Sequence, residues 1–522
     1  MSRTRRATAN YSSSLLFAVV SLAFGFVATP LLLHWLGEER YGAFRVTSEW
    51  YGYLNFLELG LGGALLPLLA RAIGSGEVHK VRDLLAAGMR AYARIMAAML
   101  LAGLALTFFI TWLVPVRPEY AHDLRIGCLI GLATLLWLPV SAPLRAEADA
   151  RQRSYVINLL LVANSVLVTA IALFLGWRRW GITGQFIAIA LGGAFFNFTL
   201  VVRGLRRYPG LLTSALRGRY DRTATSEIWR LNVPTYAMDM CGRISLLTDN
   251  IVVAAILGPA MVVPLVLTQR LPALLQGHLQ GIGGASWAGL AELFARDDRP
   301  GFNRSLLELT QVVSTLGVGV LVPTFVLNRY FVSLWVGSSR YGGNLMTFFA
   351  VANAFLLAVM SLWNWVFVGT GQVRRVLKPM LIQTVLNVGL SVLLTRPLGP
   401  VGPLIGTFAG FMGIMAWFLP FELRRTFGIG LSGLLATVLK PLAVGVPYSM
   451  LLWFLVHRWP PTTWFRLGLE LPIFVAAYLA FAWLFLFTTS ERHRWKSRVR
   501  LLVIPSVPDK EEALAAVGGP EK

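Results

Sequence analysis

Eight polar side chains fall inside stretches that are otherwise apolar enough to be surrounded by hydrocarbon. Arg45, Glu49 and Glu58 lie in one such stretch, Asp239, Arg243 and Asp249 in a second, and Gln269 and Arg270 in a third. A charge in such a place is costly, so it either pairs with another charge or lines a wet path where a ligand meets it. Arg45 with Glu49, and Asp239 with Arg243, are four residues apart and can share one helix face, which makes each a possible internal ion pair. Arg270 and Asp249 have no such neighbour on their own helix. A guanidinium stays charged almost anywhere and binds oxyanions with two parallel donors, so Arg270 first, then Arg45, are candidate anion contacts. With Glu49, Arg243 and Gln269 they make up the candidate substrate-binding residues of a cavity. Asp249, Glu58 and Asp239 are the carboxylates able to hold a proton or a sodium ion.

Other chemistry has no residues to support it. There is no GxxxxGK[ST] phosphate-binding loop, no G-x-S-x-G elbow and no H-E-x-x-H pair, so neither ATP hydrolysis nor an enzyme is expected. Six scattered histidines and two cysteines, Cys128 and Cys241, predict no metal site, no cofactor and no disulfide framework. Trp50, Tyr51 and Tyr53 read as interfacial anchors, His34 as an interfacial residue and His278 as a hydrogen-bonded packing residue.

The elements that must position these groups are membrane helices. The chain is 56% hydrophobic and 14% charged, with a mean hydropathy of +0.64, which excludes an ordinary soluble domain. A crossing needs about 20 apolar residues. On that ruler the sequence predicts an all-α polytopic membrane protein of about fourteen transmembrane helices, near residues 11–36, 43–69, 90–114, 123–144, 155–176, 182–202, 230–257, 262–289, 307–329, 345–368, 379–396, 402–421, 438–457 and 467–489. The first apolar run is too long for a cleaved signal. With the N-terminus inside, about 33 of the 47 Lys and Arg fall on the cytoplasmic side. Both termini are therefore expected in the cytoplasm, and the formal charge of +22 reflects topology and contact with membrane lipids, not nucleic acid.

An internal repeat divides the chain. GLGGA at residues 60–64 recurs as GIGGA at 281–285, 221 residues on, and the same register carries Leu36-Gly37 onto Leu257-Gly258 and Leu69-Ala70 onto Leu290-Ala291. LRRYPG at 205–210 recurs as LRRTFG at 423–428. The expected organisation is two pseudo-symmetric six-helix lobes, 1–215 and 222–428, then two additional helices over 438–489 and a basic cytoplasmic tail over 490–522. An even number of helices per lobe relates them by an axis along the membrane normal, with a path between them. The register places Glu49 and Arg270 at equivalent positions, expected to face each other across that axis. The glycine clusters themselves read as sites of close backbone approach.

LLLHWLGEERYGAFRV, ELGLGG, TDNIVVAAILGPAMV and GITGQFIAIALG, taken in order, resemble the polysaccharide and O-antigen flippases. Those belong to one superfamily with the multidrug and toxin extrusion exporters and the peptidoglycan-precursor flippases. The resemblance covers nearly the whole chain. It implies a twelve-helix core with helices 1, 2, 7 and 8 around a cavity. It also implies movement of a lipid-linked oligosaccharide, on undecaprenyl pyrophosphate, from the cytoplasmic to the periplasmic leaflet of the bacterial inner membrane by alternating access; without a nucleotide-binding loop the movement is expected to draw on an ion gradient or on mass action in the substrate. Polysaccharide polymerase and chain-length machinery are the partners it implies. Two other readings compete. A cation-coupled multidrug antiporter would want an acidic, aromatic pocket, which Arg45 and Arg270 oppose. A glycan polymerase or ligase would want a large periplasmic loop.

Overall fold

The computed structural model describes residues 3–58, 60–217 and 222–487, with 489, 492 and 494. All regular structure in these residues is helical. In chain order the membrane-length helices are α1 (residues 3–36), α2 (38–54 and 61–74), α3 (Val78–Leu113), α4 (118–150), α5 (Ser154–Trp177), α6 (Gly181–Arg207) and α7 (Arg222–Leu257). They continue as α8 (262–295), α9 (Arg299–Val336), α10 (Asn344–Gly369), α11 (Arg374–Leu398), α12 (402–427), α13 (Leu431–Arg458) and α14 (Trp464–Phe485). Most of the basic tail expected over 490–522 lies outside the described residues, as does part of the basic loop before α7.

These are helices because long apolar runs without water must satisfy their backbone groups internally. Phe108 and Trp112 on α3, Phe465 and Phe485 on α14 and Leu393 on α11 are exposed, and such an outer surface suits lipid. Inside, α1 and α5 run parallel in fixed register. Asn10 accepts from the Tyr155 backbone N–H at 2.7 Å, Ser21 meets Ser165 at 3.5 Å, and Leu32 packs on Gly176.

The neighbours repeat. Helix pairs α1/α5, α2/α4, α3/α4, α4/α6 and α5/α6 recur as α7/α11, α8/α10, α9/α10, α10/α12 and α11/α12, while α13 and α14 pack on α9. Two breaks repeat as well. Gly37, between α1 and α2, has φ 79 and ψ 169, and Gly258, between α7 and α8, has φ 94 and ψ 157. Both angles lie where a side chain would be strained, so glycine holds each bend.

The lengths differ from expectation in places. The first helix begins at Arg3 rather than near 11, because the polar start RTRRATAN still has helical propensity outside the hydrocarbon. The glycine cluster of α2 is not a continuous helix: residues 55–58 form a 3-10 turn, and Gly60 at φ 75 restarts the helix. Its counterpart in α8 runs unbroken from Arg270 to Ala295. There Gly283 lets the Leu362 backbone approach, with only 3.1 Å from a built Cβ to its Cα, as expected for a glycine packing contact.

Candidate functional site

Helices α2 and α7 form an antiparallel seam, with numbers falling on one as they rise on the other. Gly42 abuts the Pro259 carbonyl so closely that a Cβ would overlap it. Further along, Asn250 Nδ2 donates to Glu49 Oε1 at 2.6 Å, Gly52 packs on Leu247, and Tyr53 and Thr248 share a hydrogen bond of 2.5 Å. Tyr236 closes the series by donating to the Phe56 carbonyl. The seam is shut along most of its length.

At its middle lies a group of buried polar atoms. Glu49 Oε2, Arg45 Nε, Trp50 Nε1, Asp249 Oδ1 and Asn250 Oδ1 have no hydrogen-bond partner among the described residues. Asp249 is only 8% exposed, and Glu49 is near enough for the two carboxylates to repel. Unpaired buried atoms at this density are rare in a finished core and point to a ligand, an ion or water.

The opposite seam, α1 against α8, is looser. The helical bonding of α8 carries on through Gln269, whose backbone N–H reaches the Leu265 carbonyl at 3.0 Å and whose carbonyl accepts from Ala273 at 2.9 Å. The next residue, Arg270, faces α1, where its Nη2 lies 3.0 Å from a Cβ built on Gly25. Ala18, Ser21 and Leu22 of α1 with Arg270, Ala273 and Leu274 of α8 line a cavity of 350 Å³. The Arg45 charge acts on Arg270 from α2. No carboxylate lies within ion-pair distance of either arginine among the described residues.

Glu49 and Arg270 do not form the facing pair expected from the repeat. Glu49 turns into the α2/α7 seam and takes Asn250, whereas Arg270 sits in the α1/α8 seam. Arg45 and Glu49 likewise form no ion pair within 4 Å among the described residues, although the Arg45 charge acts on Glu49. Asp239 and Arg243 do pair, Nε to Oδ2 at 2.7 Å, both half exposed. Glu58 accepts from Tyr92 at 2.5 Å in a separate cavity of 350 Å³ among α2, α3, α4 and α6, beside Arg145, Asp149 and Asn197.

The aromatic residues also serve differently from expectation. Tyr51 donates to the Cys128 carbonyl, Tyr53 binds Thr248, and the Trp50 ring lies tilted against Tyr53 at 5.6 Å between ring centres. They build the wall of the centre and are not membrane-surface anchors. His278 is exposed rather than packed, since its face of α8 has no helix against it. Asn250, Gly25 and Gly42 gave no chemical signal in the sequence. The repeat offset held the one clue, since Gly42 and Val263 are equivalent and sit at the same bend.

No family model matches the chain. It is 22% identical over 457 residues to the uncharacterized membrane protein EpsK of Bacillus subtilis (strain 168), covering 84% of this chain and 87% of EpsK. Among solved structures it resembles the lipid II flippase MurJ in an inward closed conformation, with a TM-score of 0.68 at 17% identity, over 90% of this chain and 98% of MurJ. An inward-facing multidrug resistance MATE family transporter of the MOP superfamily matches with a TM-score of 0.60 at 15% identity, over 80% of this chain and 98% of that one. The chain shares the fold of these two transporters. An outward-facing MATE transporter of the MOP superfamily also matches, with a TM-score of 0.57 at 14% identity, over 84% of this chain and 96% of that one. Within this shared fold the fourteen helices make a multi-pass membrane protein, with the unpaired cluster and Arg270 where α1, α2, α7 and α8 meet.

Proposed function

We propose that this protein is a flippase for a lipid-linked oligosaccharide, carried on undecaprenyl pyrophosphate, in surface polysaccharide biosynthesis. The observation that carries the reading is the pair Arg45 and Arg270. Two guanidinia converge from equivalent helices with no carboxylate within ion-pair distance of either among the described residues, a costly arrangement unless an anion joins them. A pyrophosphate supplies two charges and the oxygens that guanidinia bind in pairs. The MurJ likeness supports the same class of cargo. The α1/α8 seam, cavity-lined and ending at Arg270, is the route by which a headgroup enters while its lipid tail stays in the bilayer. A cationic-drug antiporter is disfavoured by the same two charges.

The halves 1–215 and 222–428 rock about the centre so that the cavity opens first to the cytoplasm, then to the periplasm. The recurring neighbour pairs and the matching bends at Gly37 and Gly258 support that division. The protein sits in the inner membrane with both termini cytoplasmic, as the distribution of basic loops requires. The energy comes from a proton or sodium gradient through Asp249 and Glu49, since a cation between two adjacent carboxylates relieves their repulsion. Glu58, in its own cavity, and Asp239, held by Arg243, are the second and third choices.

The decisive experiment replaces Arg270 or Arg45 by Ala and follows surface polysaccharide together with the lipid-linked intermediate. Each substitution removes charge-assisted hydrogen bonds and should lower export roughly tenfold or more, with the intermediate accumulating and the protein still in the membrane. Unchanged export in both variants would sink the assignment.

A further inference from the structure

A third cavity, of 260 Å³, lies within the C-terminal half among α7, α8, α10, α11 and α12. Its polar lining differs in kind from the arginine centre. Gln280 of α8, Asn364 of α10 and Gln383 of α11 bring amides, Ser245 of α7 brings a hydroxyl, and Trp365 of α10 brings an indole face. Asp239 and Arg243 stand among the lining residues and cancel one another in their 2.7 Å ion pair. The lining is therefore rich in hydrogen-bonding groups and carries no net charge.

Three of these groups are unused. Ser245 Oγ, Asn364 Oδ1 and Gln383 Nε2 are buried and have no hydrogen-bond partner among the described residues. Gln383 is 2% exposed and Ser245 3%. A buried donor or acceptor without a partner is destabilising, so three around one cavity call for something inside it that both donates and accepts. Apart from Ser361 the remaining wall is apolar, and Trp365 is itself held nearly parallel to Trp287, 6.3 Å between ring centres and 20° between planes. Helix α12 departs from α-geometry here as well: residues Phe411–Met415 form a π-helical turn, and both of its ends line the cavity. Such turns cost backbone regularity and recur at functional sites.

We infer that this cavity is a sugar subsite, taking one uncharged pyranose of the lipid-linked oligosaccharide, with Trp365 under the ring and Ser245, Asn364 and Gln383 on its hydroxyl or N-acyl groups. The inference rests on the flippase reading and adds to it a division of labour. The arginines hold the anionic part of the substrate, and the uncharged cavity holds a neutral, multiply hydroxylated part. A phosphate does not suit a site whose one guanidinium is already paired. A lipid tail does not suit one with three unsatisfied polar atoms. Single waters could fill the space, and that alternative predicts no dependence on the glycan.

The test uses the purified full-length protein and two probes: undecaprenyl pyrophosphate without sugar, and the lipid-linked glycan that accumulates in a deletion strain. Binding is read by calorimetry for the wild-type chain and for Asn364→Ala, Gln383→Ala and Trp365→Ala. The glycan-bearing lipid should bind the wild-type chain more tightly than the bare lipid, and each substitution should weaken it about tenfold while leaving the bare lipid unchanged. A merely structural defect would weaken both probes alike, and Trp365→Phe, which keeps a ring, should recover most of the lost affinity. If the glycan adds no affinity, or the substitutions leave it intact, the cavity holds water only and the sugar subsite is overturned while the flippase assignment stands. If neither lipid binds the wild-type chain, the flippase assignment falls and the subsite falls with it.

Discussion

A carboxylate as enclosed as Asp249, with one oxygen unpaired and a second carboxylate beside it, is destabilising unless a cation or proton visits. On the proposed reading it is the residue at which an ion gradient would act. Asp249→Asn keeps the shape and removes the charge. It should leave the protein folded, and binding of the bare polyprenyl pyrophosphate unaltered, but export should no longer respond to collapse of the proton or sodium gradient. Export that stays gradient-dependent in this variant would exclude Asp249. At this scale the sequence was informative about which residues are costly and uninformative about which way they face. Arg270 and Asp249 stood out because nothing four residues away could neutralise them. The partner of Glu49 was not legible, because an amide such as Asn250 is cheap in a helix and becomes significant only when α7 lies against α2. The same holds for Asn364 and Gln383: scattered amides on separate helices have no spacing to read until the bundle brings them together.

The helices themselves were legible, since hydrocarbon allows few alternatives to a helix of about 20 residues or more. Their interruptions were less so. Gly37 and Gly258 could be paired through the repeat, but the break at Gly60 could not be separated from a packing glycine, because both roles ask for the same missing side chain. The antiparallel α2/α7 seam is the element whose motion matters most if the halves rock. With Cys128 and Cys241 replaced by Ser, a Gly52→Cys, Leu247→Cys pair joined by a short thiol cross-linker should arrest export, and cleavage of the linker should restore it. Undiminished export with the link fully formed would show that this seam stays shut throughout, leaving α1 and α8 as the moving pair.

Across the whole molecule, the two halves are also tied near the bends that follow α1 and α9. Arg340 Nε donates to Glu38 Oε1 at 2.9 Å, Trp335 Nε1 donates to the Phe26 carbonyl at 2.7 Å, and the Phe26 and Trp335 rings stack at 5.2 Å. The ion pair is partly exposed, worth about 1 kcal/mol at most. That is little for folding but shifts a balance between two conformations by roughly fivefold. Arg340→Glu should therefore raise labelling of a Ser21→Cys variant by an impermeant thiol reagent from the periplasmic side, and adding Glu38→Arg should bring it back down. Equal labelling in all three would mean that this tie does not hold the molecule closed. The broken α2 and the unbroken α8 matter at this scale too. A corridor with twin walls would admit an elongated molecule in either of two orientations, head first or turned half around, with equal ease. Because one wall is interrupted at Gly60 while the matching stretch of its twin is continuous, that degeneracy is lost, and on the proposed reading whatever travels through is held the same way round each time.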